Sequence, residues 1–156
     1  MIGQAVSPIL RMIASDGLIT EGAITFMSTS KISIMIVSGS HERLQMAGMV
    51  ASVGAVSGSE VTVFLSMNAL QYFIKGNDIT APAEGTFGEV MSQKNIPPFK
   101  SLFENAVELG DAKIYPCTMA MDVLDAEPED LESYLSEPLG LTKFLSDAAD
   151  HQVWTF

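Results

Sequence analysis

Residues 31–37, Lys-Ile-Ser-Ile-Met-Ile-Val, form a nearly unbroken apolar run, and no other stretch constrains the fold as much. The run is short and does not alternate polar with apolar. That pattern predicts a strand buried on both faces, as at the centre of a parallel sheet. Ser38-Gly-Ser-His41 makes a turn, with Ser40 placed to cap a helix and Glu42 in its first turn. The helix is predicted to run to about Ser57 and to stop at Gly58, and residues 61–65 supply a second strand. Strand, helix and strand at this spacing make a βαβ unit with a right-handed crossover.

The remaining chain repeats the alternation. A short helix is predicted over residues 68–74, and residues 99–109 form an amphipathic helix with Phe99, Leu102, Phe103, Ala106 and Val107 on one face. Pro97 and Pro98 precede that helix and Gly110 is expected to end it. Residues 112–115 read as a strand, 128–135 as a helix opened by Pro128, 139–149 as a helix and 152–156 as a strand. The expectation is a three-layer α/β/α domain over residues 31–156, with a mainly parallel sheet of four or five strands. Residues 1–30 are expected to be an arm, either loosely attached or a subunit contact. Residues 77–98 are irregular and rich in proline and glycine, so they are either disordered or a flap over a site.

Composition narrows the function. At 156 residues with 47% hydrophobic and 17% charged, the chain can bury a real core. Nineteen acidic against eight basic residues give a net charge of -11, which argues against nucleic acid or an anionic membrane as partner. The most apolar window, residues 44–56, is too short to span a bilayer. The N-terminus, with Arg11 inside an apolar patch, lacks the order of a secretory signal. A single cysteine excludes an internal disulfide and fits a reducing, cytoplasmic setting.

That cysteine, Cys117, follows Ile114-Tyr-Pro116 and opens a short apolar segment. Pro116 cannot donate to a sheet ladder, so the strand should end there, and Thr118 can cap the helix that follows. A thiol at the carboxyl end of a strand and the amino end of a helix meets unpaired N–H groups and a positive dipole end, which favour the thiolate. Free cysteines are also among the most buried residues, so a packing role stands beside the functional one. Function requires that the sulfur be reachable from water.

The sequence Cys-Thr-Met-Ala-Met-Asp-Val-Leu, residues 117–124, resembles the cysteine signature of the DsrE/DsrF-like sulfurtransferase superfamily, in particular a branch with a Cys-x-Met-x-Met-Asp pattern. Residues 31–64, the segment Ser66-Met-Asn-Ala-Leu70 and the ending from Gly140 through Phe156 agree with that branch, so the resemblance covers residue 31 onward. It implies a DsrEFH-like fold, no cofactor, and sulfane sulfur carried on Cys117 as a persulfide. It also implies sulfur donors and acceptors such as rhodanese-like and TusA-like proteins, and homo-oligomers such as trimers or hexamers. An apolar chain, with mean hydropathy +0.28, is consistent with buried subunit contacts. Pro116 stands where a small residue is expected and Asp125 where glycine is expected, and no second cysteine is present.

Around the thiol, the N–H groups of Thr118 and Met119 are expected to stabilise the thiolate and a persulfide anion. Met119 and Met121 match the family's methionines, and core filling is expected of at least one. Asp122 matches the family's aspartate; a carboxylate beside Cys117 would raise the thiol pKa, so a loop-holding role is expected of it. His41, after the first strand, is either a proton donor to a leaving thiolate or an exposed turn histidine. His151 has no obvious partner, and two separated histidines with one cysteine do not make a zinc site. Ser38-Gly-Ser-His41 lacks a phosphate-loop pattern, and the acidic series over residues 122–132 reads as solvated. The rival to a sulfur carrier is a non-catalytic α/β binding or assembly module with a structural cysteine.

Overall fold

The apolar run becomes the inner strand that its pattern predicts. In the computed structural model, which describes residues 29–156, strand β1 (Lys31–Ile36) lies between β2 (Glu60–Leu65) and β4 (Gln152–Thr155), and β3 (Lys113–Pro116) extends the sheet beyond β2. The order is β3-β2-β1-β4 and all three pairings are parallel. Residues 1–28, and with them the expectation of an N-terminal arm, lie outside the described residues.

Alternation along the strands sorts two faces. Ile34 and Ile36 stand beside Val63 and Leu65 in register, with Ile114 and Pro116 beyond them. This face is covered by α1 (His41–Val56) and α3 (Phe99–Gly110), the helices that cross from β1 to β2 and from β2 to β3. Between β2 and α3 stand a 3₁₀ helix, Met67–Phe73, and α2 (Thr86–Ser92). The two large helices meet through small residues: a Cβ on Gly48 would lie 3.1 Å from Leu102, and one on Gly110 would lie 2.4 Å from the Ala55 Cβ. The opposite face is covered by α5 (Leu141–Asp147), whose Phe144 ring stacks on Phe64 at 4.8 Å between centroids. Helices therefore lie on both faces of a four-stranded parallel sheet, and the fold is of the expected α/β class.

Several local readings change. Gly110 is the last residue of α3 rather than its stop: its bare Cα lies against Ala55, and Asp111 takes the left-handed position instead (φ 56°). The helix expected over residues 128–135 is only a 3₁₀ turn, Pro128–Asp130, closed by a reciprocal Glu127–Asp130 cap. The chain then turns to pair with another segment, with the Lys75 N–H donating to the Asp130 carbonyl and the Glu132 N–H to the Phe73 carbonyl. The last helix spans Leu141–Asp147 rather than residues 139–149. Residues 77–98 contain α2 and are tied to the start of α1, with the His41 N–H on the Pro82 carbonyl at 2.9 Å and the Gln45 amide on the Pro97 carbonyl at 3.0 Å.

Candidate functional site

Strand β3 ends as Pro116 requires. The Cys117 N–H donates to the Leu65 carbonyl at 2.8 Å, which continues the ladder to β2 on alternate residues and leaves Pro116 on the outer side, where no donor is needed. Pro116 instead accepts from the Leu139 N–H at 2.9 Å, so residues 136–139 run along the outer edge of β3 as a strap. Cys117 is then the cap residue of α4 (Thr118–Val123), with its carbonyl accepting from the Met121 N–H. The cap expected of Thr118 is not made: Thr118 is the first helical residue and no side chain caps the helix.

The thiol lies at the carboxyl edge of the sheet, where ligands of open α/β folds collect. It is also buried, with Cys117 only 3% exposed. This differs from the open thiol that the sequence reading requires. Of the two amides expected to face the sulfur, that of Thr118 donates to the Leu139 carbonyl at 3.2 Å. The strap thus occupies one of them, and the Met119 N–H has no partner among the described residues.

The neighbouring residues separate. Met121 and Ala120 point into the core, whereas Met119 is 50% exposed. Asp122 is exposed and its carboxylate holds no backbone N–H among the described residues, so the loop-holding bonds expected of it are not made. Asp125, standing where a glycine was expected, adopts φ 49°, a left-handed conformation that aspartate tolerates better than most residues. Met67, in the segment Ser66-Met-Asn-Ala-Leu70 that carries part of the resemblance, lies two residues beyond β2 and holds φ 49° with a long side chain 55% exposed.

His41 is not brought to Cys117. It opens α1 after β1, while Cys117 follows β3, with β2 between those strands. Its Nδ1 lies 3.3 Å from the Ser92 hydroxyl and its ring meets Phe99 edge-on. Residues 77–98 make no hydrogen bond to Cys117 or α4 among the described residues: their bonds run to Ser40, His41, Glu42, Arg43 and Gln45 and, at the two ends of the segment, to Gln71, Ile74 and Leu102. His151 does have a partner. Its Nδ1 is 2.7 Å from the fully buried Ser33 hydroxyl, and its Nε2 is 3.6 Å from Asp150. Lys31 closes the cluster by donating to Asp150 at 2.9 Å; each raises or lowers the other's pKa toward the charged form, chiefly through that hydrogen bond. This cluster lines part of a groove of about 380 Å³ on the less covered sheet face, and Cys117 does not line it. Among the described residues no three His, Cys, Asp or Glu side chains are placed to hold a metal ion, and no helix is long and apolar enough to cross a membrane.

A parallel α/β sheet with one cysteine where its edge strand passes into a helix defines the class. A family model described as DsrE/DsrF/DrsH-like matches residues 79–156, half of the chain and the half that holds Cys117, and the chain belongs to that family. Among solved structures the chain is similar to MTH1491, a protein of unknown function from Methanobacterium thermoautotrophicum. The TM-score is 0.59 at 6% identity, covering 81% of this chain and 99% of that one. It is equally similar to the ychN protein from E. coli, with a TM-score of 0.59 at 16% identity, covering 82% of this chain and 99% of that one. At such identities the likeness shows the fold alone. No curated protein matches the chain.

Proposed function

We propose that this protein is a cytoplasmic sulfur-relay protein of the DsrE/DsrF type, of the branch with the Cys-x-Met-x-Met-Asp pattern, and that Cys117 is its sulfur carrier. The observation that carries the reading is the position of Cys117: it caps α4 at the carboxyl edge of the sheet, inside the family-matched residues 79–156. The Cys117 thiolate attacks the outer sulfur of a donor persulfide. A new S–S bond forms on Cys117, the donor S–S bond breaks, and the donor leaves as a thiolate, with no net oxidation. A thiolate of an acceptor protein then takes that sulfur in the same way and Cys117 is regenerated. The Met119 N–H is the amide left to meet the terminal sulfur anion, and the strap at Leu139 has to shift for the sulfur to be reached.

The burial of Cys117 favours a second reading, an α/β binding or assembly module in which the thiol packs the core. One experiment divides the two. The native protein is incubated with inorganic polysulfide and its intact mass is measured, alongside Cys117→Ser. The relay reading expects additions of whole sulfur atoms that dithiothreitol removes and that Cys117→Ser lacks. Additions that occur only after unfolding leave the module.

A further inference from the structure

Three strands meet the α5 side of the sheet in rows. Met35, Phe64 and Tyr115 stand in one row, and Phe144 stacks on its middle member. The next row toward the amino ends is Ser33, Thr62 and Lys113. A parallel sheet with helices on both faces is expected to be apolar throughout. Two hydroxyls and an ammonium in register across three adjacent strands break that pattern, and they do so where the groove of about 380 Å³ lies.

The polar groups of the groove fall into two sets. One set is engaged: the fully buried Ser33 hydroxyl lies 2.7 Å from the His151 ring, Lys31 donates to Asp150, and Asp147 pairs with Lys143. The other set, on the side of β2 and β3, is not. The Thr62 and Tyr115 hydroxyls, the Lys113 ammonium and the Glu60 and Asp111 carboxylates have no hydrogen bond or ion pair among the described residues. Lys113 stands one strand over from Thr62, about 4.8 Å away, and Glu60 lies about 6.6 Å back along β2 on the same face. Phe144 and Leu139 add an apolar wall.

We infer that this groove binds a free α-amino acid with an apolar side chain. The ligand carboxylate lies over Thr62 and accepts from that hydroxyl and from Lys113. Its ammonium donates to Glu60, and its side chain packs on Phe144 and Leu139. Both poles are required because the unengaged groups carry both signs. A plain anion on Lys113 also faces Glu60 and Asp111, whereas a plain amine on those carboxylates also faces Lys113. The site lies toward the amino ends of the strands, away from the edge that holds Cys117, and Cys117 takes no part in it.

The test titrates the full chain with leucine and with phenylalanine and follows its amide NMR signals. At least one of the two is expected to shift the amides of Ser33, Thr62, Lys113 and His151 with a dissociation constant of about 1 mM or below. N-acetyl-leucine lacks the ammonium and leucinamide lacks the carboxylate; each is expected to bind at least about tenfold more weakly than leucine. Lys113→Met and Glu60→Gln change exposed side chains, so both variants are expected to keep the fold, and each is expected to lose affinity by a similar factor. No shift with either amino acid at about 10 mM overturns the inference. So do shifts confined to residues outside the groove, equal binding of the one-pole analogues, or affinity unchanged in both variants.

Discussion

The Glu42 carboxylate accepts the Glu84 backbone N–H at 2.8 Å, joining two residues 42 positions apart in the chain. It also accepts the Gly85 N–H at 3.0 Å, and so serves the start of α2 from the first turn of another helix. Arg43 adds a forked ion pair to the Glu84 side chain at 2.9 Å. These contacts attach residues 82–92 to α1. The Glu84 amide is the main reason that the Glu42 carboxyl sits below its ordinary value of 4.5, and Arg43 does the same for Glu84.

A pH dependence follows. Both carboxyls bind protons less readily folded than unfolded, so their contribution is complete above the ordinary carboxylate value and is lost as pH falls through the lowered one. Amide exchange at Glu84 and Gly85, compared at about pH 6 and about pH 3 after correction for intrinsic rates, is expected to lose protection at the lower pH. Amides of β1 and β2 are expected to keep theirs. Equal retention at Glu84 would mean that the carboxylate is not the tether.

Gly110 against Ala55 gives a stability prediction. A Cβ added to Gly110 would lie 2.4 Å from the Ala55 Cβ and 2.6 Å from its carbonyl carbon, so the two helix backbones have to move apart. Gly110→Ala is expected to cost about 1–3 kcal/mol by urea unfolding, although alanine is the better helix former. A gain in stability would show that the helices do not approach as closely as this.

That glycine also illustrates what the sequence disclosed. The apolar run at residues 31–37, the helix after Ser40 and the strand expected at residues 152–156 were legible because periodicity and turn residues act locally, although the Ser40 side chain makes no cap and donates to Glu84 instead. A glycine after an amphipathic run looks like a helix stop, and nothing local says that its hydrogen is needed by Ala55. The stretch after Pro128 fails as a helix for the same kind of reason, since Leu131 bridges to Ile74. Ser33 and His151, 118 positions apart, could not be paired from pattern alone. At the site, Cys117 and the unusual Asp125 were legible through the motif. The burial of the sulfur was not, because the strap that borders it comes from residues 136–139.

Phe144 is the anchor of the second helical layer. It is fully buried and stacked on Phe64 at 4.8 Å, with the rings 18° from parallel. Phe144→Ala is expected to destabilise the fold by about 3–5 kcal/mol, and Phe144→Leu by clearly less, in the same urea titration. A small effect of the alanine variant would mean that α5 contributes little to the fold.

Access to Cys117 gives the last prediction. The residue is fixed to β2 through its own N–H, whereas residues 136–139, which border it, are held to α4 by the Thr118-to-Leu139 bond and to the outer edge of β3 by the Ser136-to-Ile114 and Leu139-to-Pro116 bonds. Opening on that side leaves the sheet intact, so it is local. Alkylation of the native thiol is then expected to be slow compared with the unfolded chain, yet only weakly dependent on denaturant below the unfolding transition. Leu139→Ala trims a side chain that packs the strap against the core. If it weakens the strap by about 1–2 kcal/mol, the alkylation rate should rise roughly 5–30-fold while the slope of global unfolding stays the same. A relay thiol needs such an opening. Should the alkylation rate instead follow global unfolding with its full denaturant slope, the sulfur is reached only when the sheet itself comes apart, and Cys117 is a packing residue.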